Sequence, residues 1–275
     1  MSKDESGGYS HARIAQFYEH VPSYRSRGDV EFYIEEAVAS GGPVLELGCG
    51  TGRIALPVAR EGIAVTGLDL AASMLEIFRE KLAREDAAVQ QRVTLVHGDM
   101  CAFDLGSEFP LITIPFRAFG HIVSPEGELA CVRCANRHLP IGGRLIVDLF
   151  QTNTKRMHDP AFLEETEDFR DAALPDGALL RRTHRATAFH RSEQYNDIEF
   201  RYYVTHADGR TEELVQAFPF RYFFRYEVEH LLGRCGFRVV EILGNFDRST
   251  FGDDSPEMIF VAEKAADLAG SWEVQ

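Results

Sequence analysis

Long apolar runs are missing from this chain. No stretch approaches the ~20 residues that a membrane span needs, and the opening MSKDESGGYS has no apolar signal core. Positive charge is scarce: 29 Lys and Arg face 43 Asp and Glu, a formal net charge of −14. That balance argues against a polyanion such as DNA or RNA as partner. Cysteines are few, odd in number and scattered at 49, 101, 131, 134 and 235, which fits a reduced cytoplasm and no disulfide framework. Cys131 and Cys134 form a lone C-x-x-C inside a predicted helix, without the second pair that a zinc site needs. The ten histidines lack ligand spacing on any helix face, so no metal is expected. Internal repeats and low-complexity segments are absent as well.

What the chain does have begins at Val44-Leu45-Glu46-Leu47-Gly48-Cys49-Gly50-Thr51-Gly52. This reads as a short buried strand breaking into a glycine-rich turn that enters a helix. Glycines at alternate positions bare the backbone, so a ligand can lie against it. A dinucleotide fingerprint would need a third glycine where Arg53 stands, and no Lys-Ser or Lys-Thr follows to make a phosphate loop. Next, Ala64–Asp69 reads as a strand ending in an acid about 20 residues beyond Gly48, a spacing that suits a carboxylate on ribose hydroxyls. Strands are also predicted at Val93–Val96, running into His97-Gly98-Asp99-Met100, at Leu111–Phe116 and at Arg144–Phe150.

Alternation of these strands with helices implies an α/β fold with a parallel sheet covered on both faces. Ile14, Phe17, Tyr18 and Val21 form one apolar helical stripe that Pro22 ends, and Asp29 is placed to cap the helix after it. Pro57 predicts a kink or irregular turn in the first core helix, and Ser124-Pro125 marks a helix start. From 151 to 222 the pattern changes. Leu179–His190, Gln194–His206 and Thr211–Phe224 read as antiparallel strands, with Asp208-Gly209 as a tight turn. A helix through Val228, Leu231, Leu232 and Cys235, then strands Phe237–Leu243 and Met258–Glu263, close the core. The domain reading is a helical cap at 1–35, a core at 36–150 and 225–264, an inserted antiparallel β subdomain at 151–224, and a loose tail at 265–275.

The motifs ELGCGTG (46–52), GLDL (67–70), HGDM (97–100), LITIPF (111–116) and LPIGGRLIVDLF (139–150) resemble those of class I S-adenosylmethionine-dependent methyltransferases. The resemblance implies a doubly wound, seven-stranded, mostly parallel Rossmann-like sheet, with S-adenosyl-L-methionine as cofactor. It places Glu46 and the turn amides of Gly48, Cys49, Gly50 and Gly52 at the methionine part of the cofactor. Asp69 would hold the ribose, Leu70 the adenine, and Asp99 with the Met100 amide the adenine edge, with Met74 a further cofactor-binding candidate. Pro115 falls where that family sets substrate and cofactor sulfur side by side.

Within the family, His121 after glycine and an N-terminal tyrosine are similar to bacterial amino-sugar N-methyltransferases. That likeness implies His121 and Tyr18 as catalytic residues near an acceptor amine, with Tyr18 and Tyr24 over the cofactor. Arg117, Arg221 and Arg225 are candidates for binding an acceptor that carries carboxylate or phosphate. Blander readings stay open: Tyr18 and Tyr33 as stripe residues, His121 as a loop hydrogen-bonder, Arg221 and Arg225 as surface ion pairs. The expected partner is a small-molecule methyl acceptor at N or O, with no nucleic acid and no membrane, and a homodimer as an open alternative. A protein or RNA methyltransferase and a non-catalytic S-adenosylmethionine-binding regulatory protein are the rival readings.

Overall fold

The computed structural model describes residues 8, 9 and 11–268. The first residues of the expected cap and most of the expected tail lie outside them. Two short helices, α1 (Ala12–Phe17) and α2 (Pro22–Arg25), precede α3 (Asp29–Ser40). Strands β1 (Val44–Leu47), β2 (Val65–Asp69), β3 (Val93–His97), β4 (Leu111–Ile114) and β5 (Arg144–Phe150) then alternate with helices α4 (Ala55–Arg60), α5 (Ala72–Leu82), α6 (Ala87–Gln90) and α7 (Pro125–Arg137). Four strands follow: β6 (Thr166–Ala173), β7 (Leu179–His190), β8 (Tyr195–Thr205) and β9 (Thr211–Arg221). Helix α8 (Arg225–Arg234) leads into β10 (Phe237–Leu243) and β11 (Glu257–Lys264).

The larger sheet has the order β10-β11-β5-β4-β1-β2-β3. It is parallel except for β11, which runs antiparallel to both of its neighbours. Alternate residues along β1 serve opposite layers. Leu45 and Leu47 pack with Val132 of α7 and Leu232 of α8; Val44 packs with Phe32 of α3, Val58 of α4 and Phe78 of α5. Strand order reverses between β1 and β4, and at such a switch point the loops leaving the two strands diverge and open a crevice.

The four-stranded antiparallel sheet β6-β7-β8-β9 is separate. Helix α1 bridges the two sheets: Ile14 and Phe17 pack on Leu180, Tyr202 and Val204 of the small sheet, while Ala15 packs on Met74 of α5. No described helix is long and apolar enough to cross a membrane, and no group of three or more metal-ligating side chains occurs among the described residues.

Several local expectations shift. Pro22 does not simply end a helix; it sits at the first position of α2, where its missing N–H is no loss. Asp29 caps nothing, because its carboxylate takes both Nη atoms of Arg53 at 2.7 and 2.6 Å. Pro57 stands in the first turn of α4, which begins only at Ala55 after an irregular turn. Strand β4 stops at Ile114, two residues short of the expected Phe116, because Phe116 and Arg117 adopt left-handed backbone at φ 57° and 61°. Strand β6 was not foreseen. Its segment TEDFRDAA is exposed and charged, and bulges interrupt its pairing, so no two-residue alternation marks it. Ser124 caps α7 as expected, accepting from Gly127 N at 3.1 Å.

Candidate active site

A cavity of about 480 Å³ opens where the C-terminal ends of β1, β2 and β4 face the small sheet. Its upper half is built by the turns after the strands. Gly48 and Gly50 present bare Cα surface; a Cβ on Gly48 would meet Ala118 Cβ at 2.8 Å. The amides of this turn are spent inside the protein. Gly48 and Cys49 N donate to Leu68 O at 2.8 and 3.1 Å, and Gly52 N to Cys49 O at 2.9 Å. Gly50 N donates to Asp69 Oδ2 at 2.7 Å. The expectation that these amides face the ligand is therefore corrected: the turn offers closeness rather than donors.

Asp69 is held from both sides, since its Oδ1 accepts from Ala71 N at 2.8 Å. Each oxygen keeps a further lone pair for a ligand hydroxyl. Burial raises its pKa, against the two backbone donors that hold the anion. Leu70, Met74 and Met100 add an apolar surface beside it.

Four of the expected contacts lie behind this wall rather than on it. Cys49 packs in the core against the α carbon of Gly67. Gly52 is glycine because a Cβ there would strike the Phe78 ring at 2.5 Å. Asp99 turns back to accept from Cys101 N at 2.8 Å, leaving its neighbour Met100 at the cavity. Glu46 is buried on the Val44 face of the sheet, and its pKa is pushed up to about 8 by burial, opposed by Arg53.

Below the switch point stands the strained turn Phe116-Arg117. Two successive left-handed non-glycine residues cost of order 1–3 kcal/mol each and persist only where their surroundings fix them. The fixing groups are charged and buried. Arg117 N donates to Asp148 Oδ1 at 2.5 Å, and its guanidinium reaches Glu257 at 2.6 Å. Arg27, from the link between α2 and α3, contacts Asp148 and Glu257, both at 3.1 Å. Arg27 and Arg53 also lie over the Phe116 ring, 5.0 and 4.7 Å from its centroid. Sequence reading missed this cluster, since five elements far apart in the chain supply it.

Tyr18 and Tyr24 line the cavity with Tyr9, which was not foreseen. Tyr18 lies 4.9 Å from Tyr24 and edge-on to Phe116 at 5.9 Å. Burial drives the Tyr18 hydroxyl far above its ordinary pKa, so it stays protonated. Tyr24 OH accepts from Arg182 Nη1 at 2.9 Å. Tyr33, by contrast, is a core residue against Phe32 and Phe246.

His121 ends the turn of 3-10 helix Ala118–His121 and lies between Phe218 and Phe220 of β9, at 5.1 and 5.0 Å. Burial alone lowers its pKa to about 4, so the imidazole is neutral. Gly120 before it makes room for Phe220, whose ring atoms come within 2.7 Å of where a Cβ would sit. Pro115 and Arg117 are on the wall too. Arg221 and Arg225 are not. Arg221 is buried between Glu128 and Glu227, and Arg225 pairs with Glu229 one helical turn on at 2.6 Å; with their charge already met, neither offers a free clamp.

Residues 44–143 match the family described as a methyltransferase domain. The structure is similar to the CcbJ methyltransferase of Streptomyces caelestis, with TM-score 0.74 and 25% identity over 96% of this chain and 100% of that one. It is similar also to CalS10 of Micromonospora echinaspora, an amino pentose methyltransferase solved with its S-adenosylmethionine, with TM-score 0.68 and 25% identity over 90% and 97% of the two chains. The putative methyltransferase YqeM of Bacillus subtilis is 23% identical over 260 residues, 92% of this chain and 96% of the relative. Together with a crevice at the switch point, these likenesses make the chain an S-adenosylmethionine-dependent methyltransferase, similar to those of class I. S-adenosylmethionine is its cofactor, and among such enzymes the chain is similar to the sugar and amino-sugar N-methyltransferases.

Proposed function

We propose that this enzyme methylates the nitrogen of a small, hydroxylated amine, with the acceptor lying between His121 and the inner face of the small sheet. The observation that carries this reading is the continuity of one cavity from Asp69 to Phe218 and Phe220, with a neutral imidazole where its halves meet. The likeness to an amino pentose methyltransferase supports nitrogen as the accepting atom. A pocket walled by Tyr9 and Tyr18 on either side of α1, the turn after β4 and the small sheet suits a metabolite better than a polymer.

Asp69 holds the ribose hydroxyls in this reading, Leu70, Met74 and Met100 hold the adenine, and Tyr18 and Tyr24 face the sulfonium. Segments 36–150 and 225–264 form the transferring core, and 151–224 forms the acceptor-binding insert. The cofactor, when bound, supplies a methyl group already activated for in-line displacement. What remains for the chain is alignment and exclusion of water, and alignment alone is worth up to about 7–11 kcal/mol.

His121 is better suited to orienting than to deprotonating. Moving a proton from an ammonium near pKa 10 to an imidazole near 4 costs about 8 kcal/mol at 1.36 kcal/mol per unit. A neutral imidazole instead accepts a hydrogen bond from an amine N–H and turns the nitrogen lone pair toward the methyl group. Incubating the enzyme with metabolite pools and methyl-labelled cofactor, then identifying the product by mass spectrometry and NMR, tests the proposal. An N-methylated small amine is expected. Label on oxygen, or on protein or RNA only, overturns it.

A further inference from the structure

The acceptor half of the cavity carries one arginine that no carboxylate among the described residues pairs with. Four arginines line it, and three hold carboxylates: Arg117 holds Glu257, Arg182 holds Asp168, and Arg185 holds Glu199. The fourth, Arg156, forms no ion pair among the described residues; its guanidinium only rests 5.8 Å from the Phe162 ring centroid. The residue is exposed to the solvent that fills the cavity, and partial desolvation together with the like charge of Arg117 lowers its pKa. An uncompensated arginine in the cavity of a chain with net charge −14 is out of keeping with its surroundings.

Next to Arg156 is a second unmet group. Asn196 of β8 is 9% exposed and lies on the cavity wall. Its Nδ2 donates to the Arg156 carbonyl at 3.0 Å, which fixes the amide's orientation, and its Oδ1 is left buried without a partner. A buried acceptor without a donor costs ~1–3 kcal/mol, a cost that a ligand hydroxyl or N–H relieves. Register places Asn196 opposite Phe220, on the same inner face that packs around His121.

We infer that Arg156 forms an oxyanion subsite and that Asn196 Oδ1, on the same cavity wall, accepts from a donor beside that oxyanion, so that the acceptor carries a carboxylate or phosphate with a hydroxyl or N–H donor adjacent to it. The donors of Arg156 meet the oxyanion in two-point geometry, and Asn196 Oδ1 meets the neighbouring donor. This inference rests on the small-amine reading above for the identity of the ligand, but the site itself is testable without an acceptor. Both oxyanions share one chemistry, and the probes below separate them.

Enzyme loaded with S-adenosylhomocysteine is titrated separately with inorganic phosphate and with acetate. The Arg156 Nε–Hε resonance, assigned by its loss in Arg156→Gln, is followed by NMR. A saturable shift at millimolar anion is expected, and the tighter anion names the group. Absence of a saturable shift with either anion overturns the subsite. The titration can succeed while amine methylation fails, and the reverse, so the two readings fall separately. For the acceptor found by labelling, Arg156→Gln should raise KM at least tenfold with the KM for cofactor unmoved, and Arg156→Lys should recover part of the loss. An acceptor with no acidic group, or an unchanged KM in Arg156→Gln, also overturns the inference.

Discussion

In the proposed reading, His121 and Asp69 divide the chemistry at the scale of single residues. His121 has two aromatic neighbours and no charged one to shift it, so its neutrality comes from burial alone. Removing it should leave the cofactor half of the cavity intact and deprive the acceptor of its orienting partner. Accordingly, His121→Ala is expected to lower kcat about 100-fold, the size of loss that misplacement of a reacting group produces, while cofactor affinity by calorimetry stays within twofold. Asp69 behaves in the opposite way. Two backbone donors fix its oxygens, and hydrogen bonds to a charged group are worth ~1.5–3 kcal/mol each. Asp69→Ala should weaken S-adenosylhomocysteine binding by at least tenfold; unchanged binding in the same calorimeter would place the ribose elsewhere.

Elements differ in how plainly the sequence announces them. Strands β1, β2 and β5 are short, largely buried runs and β3 a half-exposed edge strand, all punctuated by glycine or acid, and each of their ends falls where sequence reading puts it to within about a residue. The small sheet is legible in β7, β8 and β9 because long alternating strands leave a period-two pattern. Strand β6 is not, because an exposed, charged edge strand has no pattern to leave. Asp69, Leu70, Met100 and His121 could be placed on the cavity from motif position alone. Arg27, Asp148 and Glu257 could not: their meaning lies in contacts across more than a hundred residues of chain, as between Arg27 and Asp148.

That cluster is itself an element-scale device. It joins the link before α3, the turn after β4, β5 and β11 around one strained backbone segment. Asp148 is fully buried and Arg27 nearly so. Removing one partner of such a pair strands the other charge, at ~3–5 kcal/mol. Arg27→Met should therefore lower unfolding free energy by about that amount in a urea titration. It should also reduce turnover at saturating cofactor, because the Phe116-Arg117 turn loses a support. A variant as stable and as active as the parent would mean the turn is fixed by its own sequence.

On the scale of the whole molecule, α1 is what makes one cavity out of two sheets. Six residues are too few to hold a helix in water without tertiary contacts, so α1 exists because both of its sides are occupied. Ile14 and Phe17 pack on the small sheet, and Ala15 packs on α5. Ionic ties at its margins join Arg13 to Glu212 of β9 and Glu19 to Lys81 of α5, at 3.1 and 3.0 Å. Tyr9 and Tyr18 line the cavity from either side of α1, so a cofactor seated there as proposed adds contacts that favour the docked state over any undocked one. Binding of S-adenosylhomocysteine should thus slow amide hydrogen exchange across residues 11–25 and in β7, while β10, at the far edge of the larger sheet, exchanges at its former rate. Equal exchange in 11–25 with and without ligand would show that α1 is a fixed part of the wall, and that the cofactor reaches Asp69 by another route.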